Sequence, residues 1–194
     1  MLQHLRPAIV MTALLTLFFG LAYPLAMTGI SGLAFPAQAG GSLTHDAQGR
    51  ITGSALIAQG FAKPQYLHPR PSAAGTGYDP MNSSGSNLGP LDPKLSDRVK
   101  GDAAAYRKDN SVSGEIPADA VTTSGSGLDP DISPANAALQ APRIAAARGL
   151  PASAVTEVIA AETAPPVLGF IGQPRVNVLA VNRALDGLQG KAHP

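Results

Sequence analysis

The sequence predicts an α+β protein: one N-terminal transmembrane helix, then a single loop-rich α+β extramembrane domain. Three observations predict it. From Pro7 to Thr44 no residue is charged. Two later stretches read as capped helix starts, Asp92-Pro93 and Ser133-Pro134, with an N-cap side chain followed by proline at the first helical position. The 194 residues include 21 glycines and 18 prolines, a loop-rich composition.

The apolar core "AIVMTALLTLFFGLAYPLAMTGISGLAF" runs from Ala8 to Phe35. About 20 residues of helix cross a bilayer core, and this stretch is longer. The chain therefore divides into a short N-terminal tail (1–7), a transmembrane helix (8–35) and an extramembrane domain (36–194). "AQA" at Ala37–Ala39 resembles a signal cleavage site, but a signal's apolar region has only about 7–15 residues, so length favours a retained anchor. His4 and Arg6 precede the span. The positive-inside rule then places the N-terminus in the cytoplasm and the bulk of the chain outside it.

Within the span, Ala8, Thr12, Thr16, Gly20, Pro24, Thr28 and Gly32 recur at every fourth position. Small residues at that spacing let a second helix approach closely, so Thr12, Thr16, Gly20, Pro24 and Thr28 are expected to form a helix-packing face. Pro24 removes a backbone donor and is expected to kink the helix.

After the anchor, Gly49 and Gly53 punctuate a hairpin, with Ser54–Ala58 as a strand. A long loop runs from Ala62 to Pro93, and so long a loop is usually functional or packed onto a partner. The first helix of the domain presents Leu95, Val99 and Tyr106. The next starts at Ser133, carries Leu139 and is interrupted at Pro142. Pro151 opens a third, with Val155, Val158 and Ile159 on one side. "VLGFIG" from Val167 reads as a short strand, and Asn177 caps a last helix carrying Val178, Val181, Leu185 and Leu188.

One loop is written twice. Ser84-Gly85-Ser86-Asn87-Leu88-Gly89-Pro90 aligns with Ser124-Gly125-Ser126-Gly127-Leu128-Asp129-Pro130, and each copy leads into a capped helix start. Two readings stand. The copies form a structural joint, because Gly supplies positive φ, Ser bonds local backbone and Pro starts the helix. Alternatively they hold phosphate at helix N-termini, with Lys63 and Arg70 nearby in sequence.

Several chemistries are excluded. With 14 basic and 13 acidic residues the chain lacks the basic stripe of a nucleic-acid binder. Having no cysteine, it has no disulfide, zinc thiolate or catalytic thiol. Neither twin loop supplies G-x-S-x-G, no lysine has serine three residues before it, and no Walker A sequence is present. His4, His45, His68 and His193 lack metal-ligand spacing, and "DPD" at Asp129–Asp131 is a weak cation signal beside capping and turn roles. These exclusions fit a membrane-anchored partner subunit better than a self-sufficient enzyme.

The chain resembles the KdpC family, the C subunit of the Kdp potassium-transporting P-type ATPase complex. The resemblance rests on "YPLAMTGI", "GSALIAQGF", "RPSA" at Arg70–Ala73, "SGSNLGP" at Ser84–Pro90, "SGSGLDPDISP" at Ser124–Pro134 and "RVNVLAVNRALD" at Arg175–Asp186. Asp131 departs from a histidine expected there, and Ala180 and Arg183 are mild variations. The resemblance implies a non-catalytic subunit of the bacterial inner membrane, needed for assembly of a high-affinity potassium uptake pump. It implies three partners: a pore-forming potassium-binding subunit, the P-type ATPase subunit and a small single-helix subunit. It also implies a catalytic chaperone that raises the ATPase subunit's ATP affinity. ATP would be shared with that subunit, with no cofactor of the chain's own and no metal. The twin loops, Ser84, Gly85, Ser86, Asn87, Ser124, Gly125, Ser126 and Gly127, are then candidate nucleotide-binding or subunit-contact positions.

Overall fold

A computed structural model describes residues 2–46 and 48–190; Met1, Ala47 and residues 191–194, with Lys191 and His193 among them, lie outside the described residues. The chain divides into two compact units, with the break between Thr52 and Gly53.

The first unit is dominated by one long apolar helix. It comprises α1 (Leu2–Leu17), a π-helical turn (Phe18–Ala22) and α2 (Tyr23–Ala34). Over Gln3–Ala34 it is long and apolar enough to cross a membrane, and its described side chains are almost all exposed. The helix begins at Leu2 and passes through Pro7. Before Pro24, where a kink is expected, the helix carries the π turn. Tyr23 N–H reaches back to the Phe18 carbonyl, a wider step that relieves the clash a proline ring makes with the carbonyl four residues before it. Thr28 Oγ1 donates to the Pro24 carbonyl at 2.9 Å, so its hydroxyl is satisfied within the helix.

A four-residue helix, α3 (Pro36–Ala39), follows, and then strands β1 (Leu43–His45) and β2 (Ile51–Ser54) pair as a small hairpin. Asp46 organises its turn. Its carboxylate accepts Arg50 N–H (2.9 Å), Gln48 N–H (3.0 Å) and Arg50 Nε–H (2.7 Å). The strand expected over Ser54–Ala58 is displaced: β2 ends at Ser54, whose hydroxyl takes Leu56 N–H at 3.2 Å and turns the chain away.

Among the described residues the second unit has four α-helices, α4 (Pro93–Asn110), α5 (Pro134–Arg148), α6 (Ala152–Ala161) and α7 (Val178–Gly190), and a short 3-10 turn at Ala118–Ala120. It also has a three-stranded antiparallel sheet in the order β3 (Asp131–Ile132), β5 (Arg175–Asn177), β4 (Thr163–Ala164). Val176, at the centre of β5, pairs with Ile132 on one side and Thr163 on the other and is fully buried. The core is built from α5, α6 and α7 around it: Ala137, Ala141, Ile144, Val155, Ile159, Val178, Val181 and Leu185. The caps form as expected. Asp92 accepts Lys94 N–H (2.9 Å), Ser133 accepts Asn136 N–H (3.1 Å) and Asn177 accepts Ala180 N–H (3.0 Å).

Two expectations fail here. Helix α5 is not interrupted at Pro142 but continues to Arg148. Pro142 and Ala138, the residue whose carbonyl loses its donor, are both exposed, so water can serve that carbonyl. "VLGFIG" is not a strand. Val167 and Ile171 bridge each other, and Leu168, Gly169 and Gly172 take positive φ, which curls the segment into a closed loop.

From Ala55 to Asp92 the chain has neither helix nor strand. Five consecutive carbonyls hold its middle in place. Arg143 Nη1 donates to the Pro64 and Tyr66 carbonyls, and Arg148 Nε donates to that of Gln65 (2.7 Å). Asn182 Nδ2 donates to Leu67 O (2.9 Å), and Gln140 Nε2 to His68 O (3.1 Å). The two amide side chains also accept the N–H groups of the same residues, at 2.7 Å for Leu67 and 2.8 Å for His68. Side chains of α5 and α7 thus act as the missing neighbouring strand, which satisfies backbone that burial would otherwise leave costly. Leu67 is consequently fully buried in the core.

Candidate functional site

The pinned loop delivers "RPSA" to the twin loops. Arg70 spans toward the second copy: its Nη1 meets Asp129 at 2.9 Å, its Nε donates to Thr122 O (3.2 Å), and its Nη2 donates to Thr122 Oγ1 and Thr123 O (3.3 Å each). Ser72 Oγ donates to Gly127 O (2.7 Å) and accepts the N–H groups of Ala74 (3.1 Å) and Tyr78 (2.8 Å). Tyr78 closes the turn by donating its hydroxyl to Arg70 O at 2.9 Å. Burial raises the pKa of the Tyr78 hydroxyl, so it remains a donor.

The two copies then bind each other. Ser84 N–H donates to Ser126 O (3.0 Å), and Ser83 Oγ donates to the same carbonyl (2.9 Å). A Cβ on Gly85 would stand 3.0 Å from Gly125 O, and one on Gly127 would stand 2.6 Å from both Ala74 N and Ser84 O. Gly127 also has φ +67°, so conformation and space both demand glycine there. The second copy is further ordered from within, since Ser126 Oγ accepts Leu128 N–H (3.1 Å) and lies 3.3 Å from Ser124 Oγ. Ser86 is half-buried and Asn87 is exposed, with φ +51°. The structure therefore brings Ser84, Gly85, Gly125, Ser126 and Gly127 together.

Both helix starts that follow the loops are filled by the chain's own acids. Asp92 caps α4. At α5 the Asp119 carboxylate accepts Ser133 N–H (2.8 Å), Ser133 Oγ–H (2.9 Å) and Asn136 Nδ2–H (3.0 Å). A carboxylate at a helix N-terminus occupies the place a phosphate would take and repels one electrostatically. Tyr106, beside Asp119, donates to Asn136 Oδ1 (2.9 Å), and its hydroxyl is pushed up to about 12 by burial and then by the Asp119 charge.

Beside the clasp lies an open cleft of about 580 Å³, lined by Arg70, Asp119, Asp129, Asp131, Ser133 and Arg175 among others. Four of its five charged groups form ion pairs, and Asp119 is held by Ser133 and Asn136. Arg70 meets Asp129, and Arg175 Nε meets Asp131 Oδ2 at 3.0 Å. Burial raises the Asp131 pKa, against the opposing effect of Arg175. "DPD" makes a turn and two ion pairs. Asp129 Oδ1 accepts Asp131 N–H at 3.0 Å.

The residues that the sequence reading missed are polar and buried: Asn136, Gln140, Arg148 and Asn182, with half-buried Arg143. Their signal was available on α5, where Asn136, Gln140 and Arg143 follow helical spacing along one face. The apolar pattern of the same helix points to Leu139 instead. On the long helix, Thr12, Thr16, Gly20, Pro24 and Thr28 remain exposed, and a Cβ on Gly29 or Gly32 would meet nothing within 4 Å.

Comparison with known proteins agrees across nearly the whole chain. Residues 5–187 match the family model described as "K+-transporting ATPase, c chain". A potassium-transporting ATPase KdpC subunit of Caulobacter vibrioides is 66% identical over 186 residues, covering 96% of this chain and 94% of the relative. The corresponding subunit of Beijerinckia indica is 59% identical over 187 residues, at 96% and 94% coverage. That of Rhodospirillum rubrum is 52% identical over 194 residues, covering both chains completely. The chain belongs to the KdpC family of potassium-transporting ATPase c chains.

Proposed function

We propose that the chain is a non-catalytic accessory subunit of an ATP-driven, high-affinity potassium uptake pump. Its partners are the pore-forming subunit, the P-type ATPase subunit and a small single-helix subunit. It supports assembly and stability of the complex and raises the catalytic subunit's affinity for ATP from a distance. The observation that carries this reading is the mutual clasp of the twin loops. Ser84 N–H is spent on Ser126 O, and the helix starts behind both loops are filled by Asp92 and Asp119. Loops occupied in this way serve as a joint that sets two helix entrances, and they leave little for a triphosphate.

The long helix anchors the subunit in the inner membrane, with the bulk of the chain on the extracytoplasmic side. Thr12, Thr16, Gly20, Pro24 and Thr28 form the face against a partner helix, since small residues at every fourth position let two helices approach closely. ATP is then on the far side of the membrane, so the effect on its affinity is allosteric. It requires contacts that differ between two states of the pump.

The test uses the absence of cysteine. A single cysteine replaces Ser86, or separately Ser126, in the assembled complex, and intact cells receive a membrane-impermeant thiol reagent. Labelling from outside is expected. Labelling only after the inner membrane is opened would sink the allosteric reading and favour direct nucleotide contact by the loops.

A further inference from the structure

Between β4 and β5 the chain projects a closed apolar loop. Val167 and Ile171 exchange both backbone bonds at 2.9 Å, and Gly169 N–H and Phe170 N–H turn inward to Pro166 O (3.0 Å) and Val167 O (3.3 Å). The loop thus satisfies much of its own backbone. Its side chains do the opposite of a core: Val167, Leu168, Phe170 and Ile171 are 57%, 79%, 76% and 52% exposed. Four large apolar side chains on one short turn differ from singly scattered ones, which need no explanation. Leu168 adds a second, independent observation. It has φ +55°, a left-handed conformation that costs a branched residue about 1 kcal/mol or more, where glycine or asparagine would fit freely. A leucine this exposed recovers none of that cost inside the chain.

We infer that residues 166–172 form a preformed plug that seats in an uncharged apolar pocket on another chain of the same ATPase. The inference rests on the assembly role proposed above and names its contact. Two features favour a protein pocket over the lipid surface. From Thr163 to Pro174 there is no charged residue, whereas loops that dock on bilayers use Lys or Arg to meet anionic headgroups. The next cation, Arg175, is held by Asp131 at 3.0 Å. The loop is also fixed in shape by its paired backbone, and preorganised shape is rewarded by a complementary pocket but not by a fluid bilayer.

The experiment places a photoreactive benzoyl-phenylalanine at Phe170 in the whole complex, purified through a tag on a different chain. A control carries the same group at Met81, an 87% exposed residue of another loop. Irradiation is expected to join this chain to one other subunit, at a yield roughly tenfold above the Met81 control, as for a side chain held in a pocket. Adducts with lipid alone, or between two copies of this chain, would overturn the plug and identify the other occupant. So would a yield no greater than the control in a complex that still co-purifies. Failure of the unmodified chain to co-purify would instead defeat the assembly role itself. A second variant separates folding from docking. Leu168→Asn suits the left-handed backbone, so the isolated full chain should melt at the same temperature or slightly higher in detergent. Its dissociation from the complex should accelerate roughly tenfold, the loss of one anchor. Unchanged dissociation would reject the plug.

Discussion

The twin loops share a sequence and differ in what surrounds them. Asn87 and Gly127 occupy equivalent positions, and both adopt the left-handed conformation, at φ +51° and +67°. Asn87 is exposed, whereas Gly127 is buried with backbone of Ala74 and Ser84 pressed where a side chain would begin. The turn itself is therefore a local property, shared by both copies. The prohibition on a side chain is a property of the second copy alone, imposed by chain from residues 72–84. The same contrast continues into the helices. The first copy leads to α4, capped by Asp92 alone. The second leads to α5, whose cap is joined by Asp119 and Asn136 and whose inner face carries much of the core.

The contrast predicts unequal responses to equal changes. Gly127→Ala should be the most damaging, at about 3–5 kcal/mol, since left-handed strain and backbone overlap add. Asn87→Ala meets the conformational cost alone and should lose only about 1 kcal/mol. Denaturant unfolding of the full chain in detergent measures both. Equal losses would mean that the copies are equivalent after all.

Arg70→Ala should come next, at roughly 2–3 kcal/mol. It removes a half-buried charge pair and leaves the Thr122 and Thr123 carbonyls without their donor. Arg70→Lys should recover little, because an ammonium cannot span Asp129 and both carbonyls. Full rescue by lysine would show that only charge matters there.

The caps sharpen the comparison further. Ser133→Ala should cost about 1–2 kcal/mol, at the upper end for caps because it also removes one of the three donors to Asp119, and Asp92→Ala about 0.5–1 kcal/mol. A larger loss at Asp92 would reverse the ranking of the two helix starts.

The smallest expected effect is a pH dependence centred on the pinned loop. His68 sits with its ring nitrogen 3.0 Å from Lys63 O and its backbone held by Gln140. Burial, and then the Arg143 charge, lower its pKa in the fold, against smaller opposing effects from the Lys63 carbonyl and Asp109. The unfolded chain therefore binds the proton more readily. The histidine's contribution to stability is complete above its ordinary value, near 6.5, and is lost as pH falls from there through the lowered value. His68→Gln should flatten that part of the stability–pH curve. An unchanged slope would assign it to other groups.

How far the sequence could be read follows from the range of each interaction. The N-caps at Asp92, Ser133 and Asn177 link residues two or three apart, and they stand where the Asp-Pro, Ser-Pro and Asn signals put them. Pro142 misled because its cost depends on whether solvent reaches Ala138, which pattern alone does not disclose. "VLGFIG" misled because apolar runs suggest strands, while the positive φ of Leu168 decides otherwise.

By itself, the sequence determined the long apolar helix, the capped helix starts, the α+β character and the family. These rest on composition, on spacing within a few residues, or on similarity along the chain. Only the tertiary structure decided that the repeated loops clasp each other. It also decided that Asn182 and Gln140 replace a strand for Leu67 and His68, and that Asp119 fills the start of α5. Those bonds join residues 115, 72 and 14 positions apart. Their partners are chosen by where the packed core carries the backbone, and no local pattern encodes that path.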